Sequence, residues 1–272
     1  MCQLLGMNCN VPTDICFSFT GFQARGGTTD VHTDGWGIAF FEDKGVRVFL
    51  DPQPSCQSPV AELVRNYPIH SKNVIAHIRK ATQGAVGLEN THPFMRELWG
   101  RYWIFAHNGN LLDFAPELDG SFLPVGSTDS ERAFCWLLQE LRRRFGSASL
   151  PPRAEIFAAL HELTLDVGRH GEFNFLLSQG GALFAHASTR LAYVIRRAPF
   201  TQAHLKDQDV TVDFSQVTTP NDQVAVIATV PLTDNETWEV MPAGSLWWFE
   251  EGAPVQTLAT IPGPEKKRPG CC

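Results

Sequence analysis

The chain has no Cys-x-x-Cys pair, and its seven cysteines are an odd number. Neither a disulfide framework nor a zinc knuckle is indicated. It also lacks an apolar run long enough to span a bilayer and the basic start with apolar stretch of a signal peptide. A basic excess is missing too: 22 Lys and Arg stand against 29 Asp and Glu, for a net charge of −7. That argues against sequence-independent nucleic-acid binding, which needs a positive footprint. The basic cluster Lys266-Lys267-Arg268 sits in the tail and reads as a solvated chain end. These absences suit a soluble cytoplasmic protein with no nucleic-acid or membrane partner, in a compartment where thiols stay reduced.

What is present is apolar bulk. With 272 residues, 43% of them hydrophobic, the chain can bury a sizeable core as one large domain or two small ones. No internal repeat and no interdomain linker stand out. Residues 1–262 read as one domain and 263–272 as a loose Pro/Gly-rich tail. Gln3–Met7 reads as a short strand. Gly35–Phe41 and Val46–Leu50 read as a hairpin around Glu42-Asp43-Lys44-Gly45. Pro59–Asn66 is a short surface helix, and Val74–Ile78 and Tyr102–Ala106 have the β-branched and aromatic content of central strands. Asp129–Phe145 is the clearest helix. Thr128 and Glu131 fit a capping box, Phe134, Leu137, Leu138 and Leu141 repeat at helical spacing, and three arginines close the last turn. A second helix spans Arg153–Val167. Strands then follow at Phe173–Leu177, Ala182–Ala187, Leu191–Arg196, Gln223–Thr229 and Ser245–Phe249. Strands, two adjacent helices and more strands imply an α+β protein with helices layered on antiparallel sheets.

Cys2 is the most informative residue. Removing Met1 would leave a thiol and a free α-amine on one residue, with typical pKa values near 8.5 and 7.7–8.0. Nucleophile and general base would then share a residue, with no partner histidine needed. The plainer alternative is a buried, inert cysteine. Arg79 ends a predicted strand, and its planar fork suits a carboxylate as well as a surface salt bridge. His92, in Asn90-Thr91-His92-Pro93-Phe94, is compatible with a structural imidazole. Phe105-Ala106-His107-Asn108-Gly109-Asn110-Leu111 places Asn108 and Gly109 at the end of an apolar strand. A side-chain NH₂ beside a Gly N–H makes a two-donor oxyanion hole; the alternative is an Asn-Gly turn, against which the helix-like region that follows argues. Asp129 opens the strong helix, where it either faces an ammonium group or stabilises the helix start. His32-Thr33-Asp34-Gly35-Trp36-Gly37 is a polar loop that could bring backbone close to the N-terminal nucleophile.

The ordered set Cys2, Asp34-Gly35-Trp36-Gly37-Ile38, Arg79, Thr91-His92-Pro93-Phe94, His107-Asn108-Gly109-Asn110 and Asp129 resembles the class II glutamine amidotransferases, which are N-terminal-nucleophile hydrolases. Within that family it is similar to the stand-alone, YafJ-like members. The resemblance runs from Cys2 to the late strands. It implies a four-layer αββα sandwich of mostly antiparallel sheets. It also implies that Cys2 attacks a γ-amide carbonyl, that Asn108 and Gly109 hold the oxyanion, and that Arg79 and Asp129 bind the α-carboxylate and α-ammonium of the glutamyl group. His92 and His107 match positions near the substrate pocket. No metal or organic cofactor is implied. The substrate is then glutamine, with ammonia released to a separate acceptor enzyme, or a small γ-glutamyl compound cut by water. A non-catalytic binding or regulatory protein on the same scaffold is the third alternative.

Overall fold

The structure, a computed structural model, describes residues 2–261; the expected tail and its basic cluster lie outside the described residues. Along the chain come β1 (Gln3–Thr13), α1 (Cys16–Ala24), β2 (Trp36–Glu42), β3 (Gly45–Asp51), α2 (Pro59–Asn66), β4 (Ser71–Ile78), β5 (Phe94–Leu98) and β6 (Arg101–Leu111). The helices α3 (Asp129–Phe145) and α4 (Arg153–Gly168) follow, then β7 (Gly171–Ser178), β8 (Leu183–Ala187), β9 (Ala192–Arg197), β10 (Gln202–His204) and β11 (Thr211–Asp213). The last strands are β12 (Gln223–Ala228), β13 (Glu239–Val240), β14 (Ser245–Glu250) and β15 (Ala253–Ala259). One sheet runs β13-β9-β12-β1-β4-β2-β3, a second runs β15-β14-β8-β7-β6-β5, and β10-β11 is a separate ribbon.

Strand alternation sorts the side chains into three apolar layers. In β1 and β4, Leu5, Met7, Val74, Ala76 and Ile78 point outward and pack with Phe19 and Phe22 of α1 and Ala61 and Val64 of α2. Their neighbours Leu4 and Ile75 point inward, against Ile104, Ala106, Leu176 and Ala185 of the second sheet. The outer face of the second sheet, with Trp103, Phe105, Phe173 and Phe175, packs on Phe134, Leu138 and Leu160 of α3 and α4. The order helix, sheet, sheet, helix is the four-layer αββα sandwich expected from the sequence. The middle layer is rich in alanine, which lets the sheets approach. At Gly6 an added Cβ would lie 3.0 Å from Leu176 and 3.2 Å from Leu183.

The apolar spacing of α3 sets its buried face, and Thr128 Oγ1 accepts from the Glu131 N–H at 3.2 Å. Only this half of the expected capping box is made. The Glu131 carboxylate accepts instead from Gly126 N at 2.7 Å and from Arg96 at 2.5 Å. The helix-like region expected after Gly109 is not helical: β6 continues to Leu111, and irregular chain leads to Asp129. α1 was not anticipated, because it buries most of its surface, including Ser18 and Gln23, and so lacks an amphipathic pattern. No described helix is long and apolar enough to cross a membrane.

Leu176→Ala should cost about 2–5 kcal/mol in denaturant unfolding. Gly6→Ala alone should also destabilise, by about 1–3 kcal/mol through overpacking. Combined, the two should cost less than their sum, because the new methyl enters space that the leucine vacates. Strict additivity would contradict the close approach of the sheets at Gly6.

Candidate active site

The start of β1, the ends of β4 and β6 and the first turn of α3 converge at one end of the sandwich. Cys2 is buried there. Its Sγ accepts from the Lys80 N–H at 3.2 Å and lies 3.3 Å from the Lys80 carbonyl. Burial pushes the thiol pKa up, and the Lys80 N–H and the Arg79 charge oppose this only in part. Near neutral pH the sulfur is therefore a protonated thiol that needs a base. Residues 79–81 are held by the loop before β2. Arg79 N donates to Gly35 O at 2.8 Å, Asp34 N to Arg79 O at 3.2 Å, and Ala81 N to the Asp34 carboxylate at 2.8 Å. The polar loop flagged in the sequence thus supports the stretch on which the sulfur rests.

Asn108 reaches across from the second sheet and donates through Nδ2 to the Cys2 carbonyl at 2.7 Å. The second hydrogen of that NH₂ remains, with Thr229 Oγ1 3.5 Å away. Asn108 Oδ1 is buried with no hydrogen-bond partner among the described residues. Beside it, Leu112 N donates toward β7, to His170 O, while Leu111 N donates to the opposite edge, to Asp129 Oδ2 at 2.8 Å. Antiparallel alternation then directs the Gly109 N–H to the same edge as Leu111. Among the described residues no strand covers that edge, because β5 pairs with β6 only as far as Phe105. A side chain at position 109 would collide with the Glu172 backbone, so glycine is required by space.

Arg79 is buried, and its guanidinium donates to the carbonyls of Gln83 (2.8 Å), Gly84 (3.1 Å) and Ala85 (3.0 Å). It therefore shapes the loop that follows β4, with two of its five N–H groups left over. Asp129 is half-buried, and its other oxygen accepts from Ser130 N at 2.8 Å. His107 lies on the α3 side of β6, with Nε2 3.0 Å from Glu172 O and Nδ1 2.8 Å from Ser130 Oγ. A carbonyl only accepts, so Nε2 carries the proton and Nδ1 accepts from the serine. His92 Nδ1 lies 3.2 Å from His77 Nδ1, and His77 also bonds the His107 backbone. Burial is the main cause holding His77 and His92 well below the usual imidazole range, and it lowers His107 too, against the nearby Asp129 charge. The seven expected site residues thus fall in one region, with the two histidines in its buried floor.

Several participants were missed. Thr229 Oγ1 accepts from Leu4 N at 2.9 Å, and nothing in its sequence context marks it. Gln83 Nε2 donates to Asn110 Oδ1 at 2.5 Å. Asn174 is fully buried and donates to the Asn108 carbonyl at 2.9 Å while accepting from Thr189 N and Arg190 N. An asparagine between two phenylalanines in an apolar strand was a signal that could have found it. Among the described residues no group of three or more His, Cys, Asp or Glu is placed to hold a metal ion.

The family model of class II glutamine amidotransferases matches residues 1–269. The chain belongs to the class II glutamine amidotransferases. It is 57% identical over 248 residues to an Escherichia coli protein provisionally named glutamine amidotransferase YafJ, covering 89% of this chain and 95% of that one. The crystal structure of a predicted glutamine amidotransferase from Pseudomonas aeruginosa PA01 superposes with a TM-score of 0.75 at 46% identity, over 93% of this chain and 99% of that one. The glutamine phosphoribosylpyrophosphate amidotransferase of B. subtilis shares the fold alone, with a TM-score of 0.51 at 14% identity, over 96% of this chain and 50% of that one.

The buried imidazoles make stability depend on pH. Their folded pKa values lie below the unfolded value near 6.5, and that of His186 falls to about 4. Their contribution is complete above the unfolded pKa and is lost as pH falls below it, because the unfolded chain takes up protons that the native state refuses. Urea unfolding at pH 7.5, 6.5 and 5.5 should show a steepening loss that reaches about 1.4 kcal/mol per pH unit for each buried imidazole. Flat stability down to pH 5.5 would contradict the neutral floor.

Proposed function

We propose that residues 1–262 form one amidotransferase-type domain in which Cys2, freed of Met1, cuts the γ-amide of glutamine. The observation that supports this reading is the bond from the Asn108 side chain to the Cys2 carbonyl at 2.7 Å, which sets the end of β6 beside the residue that carries the thiol. The Cys2 amine takes the thiol proton, and sulfur attacks the γ-carbonyl. The second Asn108 Nδ2 hydrogen and the Gly109 N–H receive the oxyanion. The C–N bond then breaks, the proton passes to departing ammonia, and water cleaves the glutamyl thioester. Arg79 offers its remaining donors to the α-carboxylate, and Asp129 faces the α-ammonium. His92 and His107 act from beneath, holding β6 and the first turn of α3. Ammonia is delivered to an acceptor on another polypeptide.

Mass spectrometry of the protein from its native host should show Met1 absent and, with glutamine, a glutamyl adduct on Cys2. Cys2→Ala should abolish glutamate release, and Asn108→Ala should lower kcat by roughly 10²–10³. Persistent activity in Cys2→Ala would end the mechanism.

Arg79→Ala should mainly raise KM for glutamine. Arg79→Lys should not restore it, because an ammonium cannot reproduce a planar fork spread over three carbonyls and a substrate. An unchanged KM in steady-state assays would remove Arg79 from the substrate site.

A further inference from the structure

Along β7, Phe173 and Phe175 pack toward α3 and α4, while Leu176 packs toward the first sheet. Asn174 therefore shares the inner, apolar face with Leu176, and it is fully buried there. An amide in such a place is costly unless it is bonded. All four of its hydrogen-bonding positions are used. Nδ2 donates to Asn108 O and to Thr189 Oγ1, each at 2.9 Å. Oδ1 accepts from Thr189 N at 3.0 Å and from Arg190 N at 3.2 Å. Two donors and two acceptor sites are all that an asparagine has. The amide can take only this orientation, because turned over its NH₂ would face two backbone N–H groups. Ser188 Oγ also accepts from Phe173 N at 2.8 Å, so the chain after β8 clasps β7 at two successive residues. One bond serves no turn, and that is the bond to Asn108 O.

The oxygen that receives it belongs to the peptide unit joining Asn108 to Gly109. A peptide unit is planar, so its carbonyl and its N–H turn together. Asn108 pairs with Asn174 across β6 and β7. The carbonyl thus points to the β7 edge and the Gly109 N–H to the opposite one, beside Leu111 N. The Asn174 side chain adds a donor to an oxygen that the ladder already faces. It holds one end of a rigid plate whose other end is the Gly109 N–H. Donation to a carbonyl also polarises the N–H of the same unit, because hydrogen bonds in series strengthen one another. The plate begins at the residue whose side chain is the other amide donor, so one buried asparagine braces both.

We propose that Asn174 is a positioning residue for the oxyanion, fixing and polarising the Asn108–Gly109 peptide so that its N–H meets the charge developing on the attacked carbonyl oxygen. This rests on the reading of Cys2 as nucleophile and of Asn108 and Gly109 as the two donors. Asn174 itself touches no substrate. Its effect falls on the transition state, because the oxygen carries full negative charge only after sulfur has added. Binding of the amino-acid headgroup is left to Arg79 and Asp129.

Asn174→Ala is assayed for glutamate release from glutamine, with rates expressed per reactive site counted by labelling Cys2 with a diazoketone analogue of glutamine. Both kcat and kcat/KM should fall together, by about tenfold, the worth of one buried hydrogen bond, with KM unchanged. A merely structural loss would lower the number of labelled sites and not the rate of each. In the Cys2→Ala background, the amide nitrogen resonance of Gly109 reports hydrogen bonding at the carbonyl of its own peptide, and Asn174→Ala should move it. Thr189 is exposed, and Thr189→Val removes the acceptor of the second Nδ2 hydrogen. It should give a smaller displacement of the resonance and a smaller fall in kcat, and it decides alone should Asn174→Ala not fold. An unchanged kcat per labelled site, a rise in KM alone, or an unmoved Gly109 resonance would overturn the role while leaving the Cys2 mechanism standing. Glutamate release by Cys2→Ala would overturn the mechanism beneath it.

Discussion

The hydrogen bond from the Asn108 side chain to the Cys2 carbonyl joins the two sheets at the candidate site, beside the bond of His77 to the His107 backbone. Over most of their area the sheets meet through an apolar layer rich in alanine, leucine and isoleucine, and at the other end Asn73 Nδ2 donates to Gly180 O at 2.5 Å and Gly252 N to Asn8 Oδ1 at 2.8 Å. The backbone of Asn108 is fixed in turn by Asn174, whose amide is held by the chain at Thr189 and Arg190. The position of Cys2 therefore depends on a polar relay passing through the middle of an apolar sandwich. Each buried member must be satisfied for the relay to stabilise the fold.

The neutral histidine floor follows from the same geometry. His77 and His107 occupy strands of opposite sheets, and His92 closes the gap between β4 and β5. In a site this dry, charging an imidazole beside Arg79 is unfavourable. Imidazoles held this far below their ordinary range are weak bases. In the proposed reaction the base is instead the nitrogen of Cys2 itself.

Much of the architecture was legible because periodicity matched burial. α2 and α3 fall on their expected bounds, and the main strands start or end within a few residues of expectation. α1 and β5 were not legible, for opposite reasons. α1 is buried around most of its circumference and shows no polar face. β5, Phe94-Met95-Arg96-Glu97-Leu98, is an edge strand whose charges mask its alternation. At the candidate site, Cys2 could be named for its place behind Met1, and Asn108, Gly109 and Asp129 because each lies near the end of an element with an obvious pattern. Arg79 was legible as a residue, but its hold on three loop carbonyls was not. Those partners are backbone atoms, and backbone atoms carry no sequence signal. Thr229 was invisible for a related reason: its importance comes only from β12 lying beside β1.

That adjacency also orders events during synthesis. β1 is an inner strand whose partners are β4 and β12, and Leu5 pairs with Ala228. The pocket around the first residues cannot close until the ribosome has released nearly the whole polypeptide. At about 5–20 residues per second, the amino end stays open for on the order of ten to fifty seconds. If Met1 is removed as proposed, that is the interval in which trimming enzymes reach it before the sandwich shuts over it.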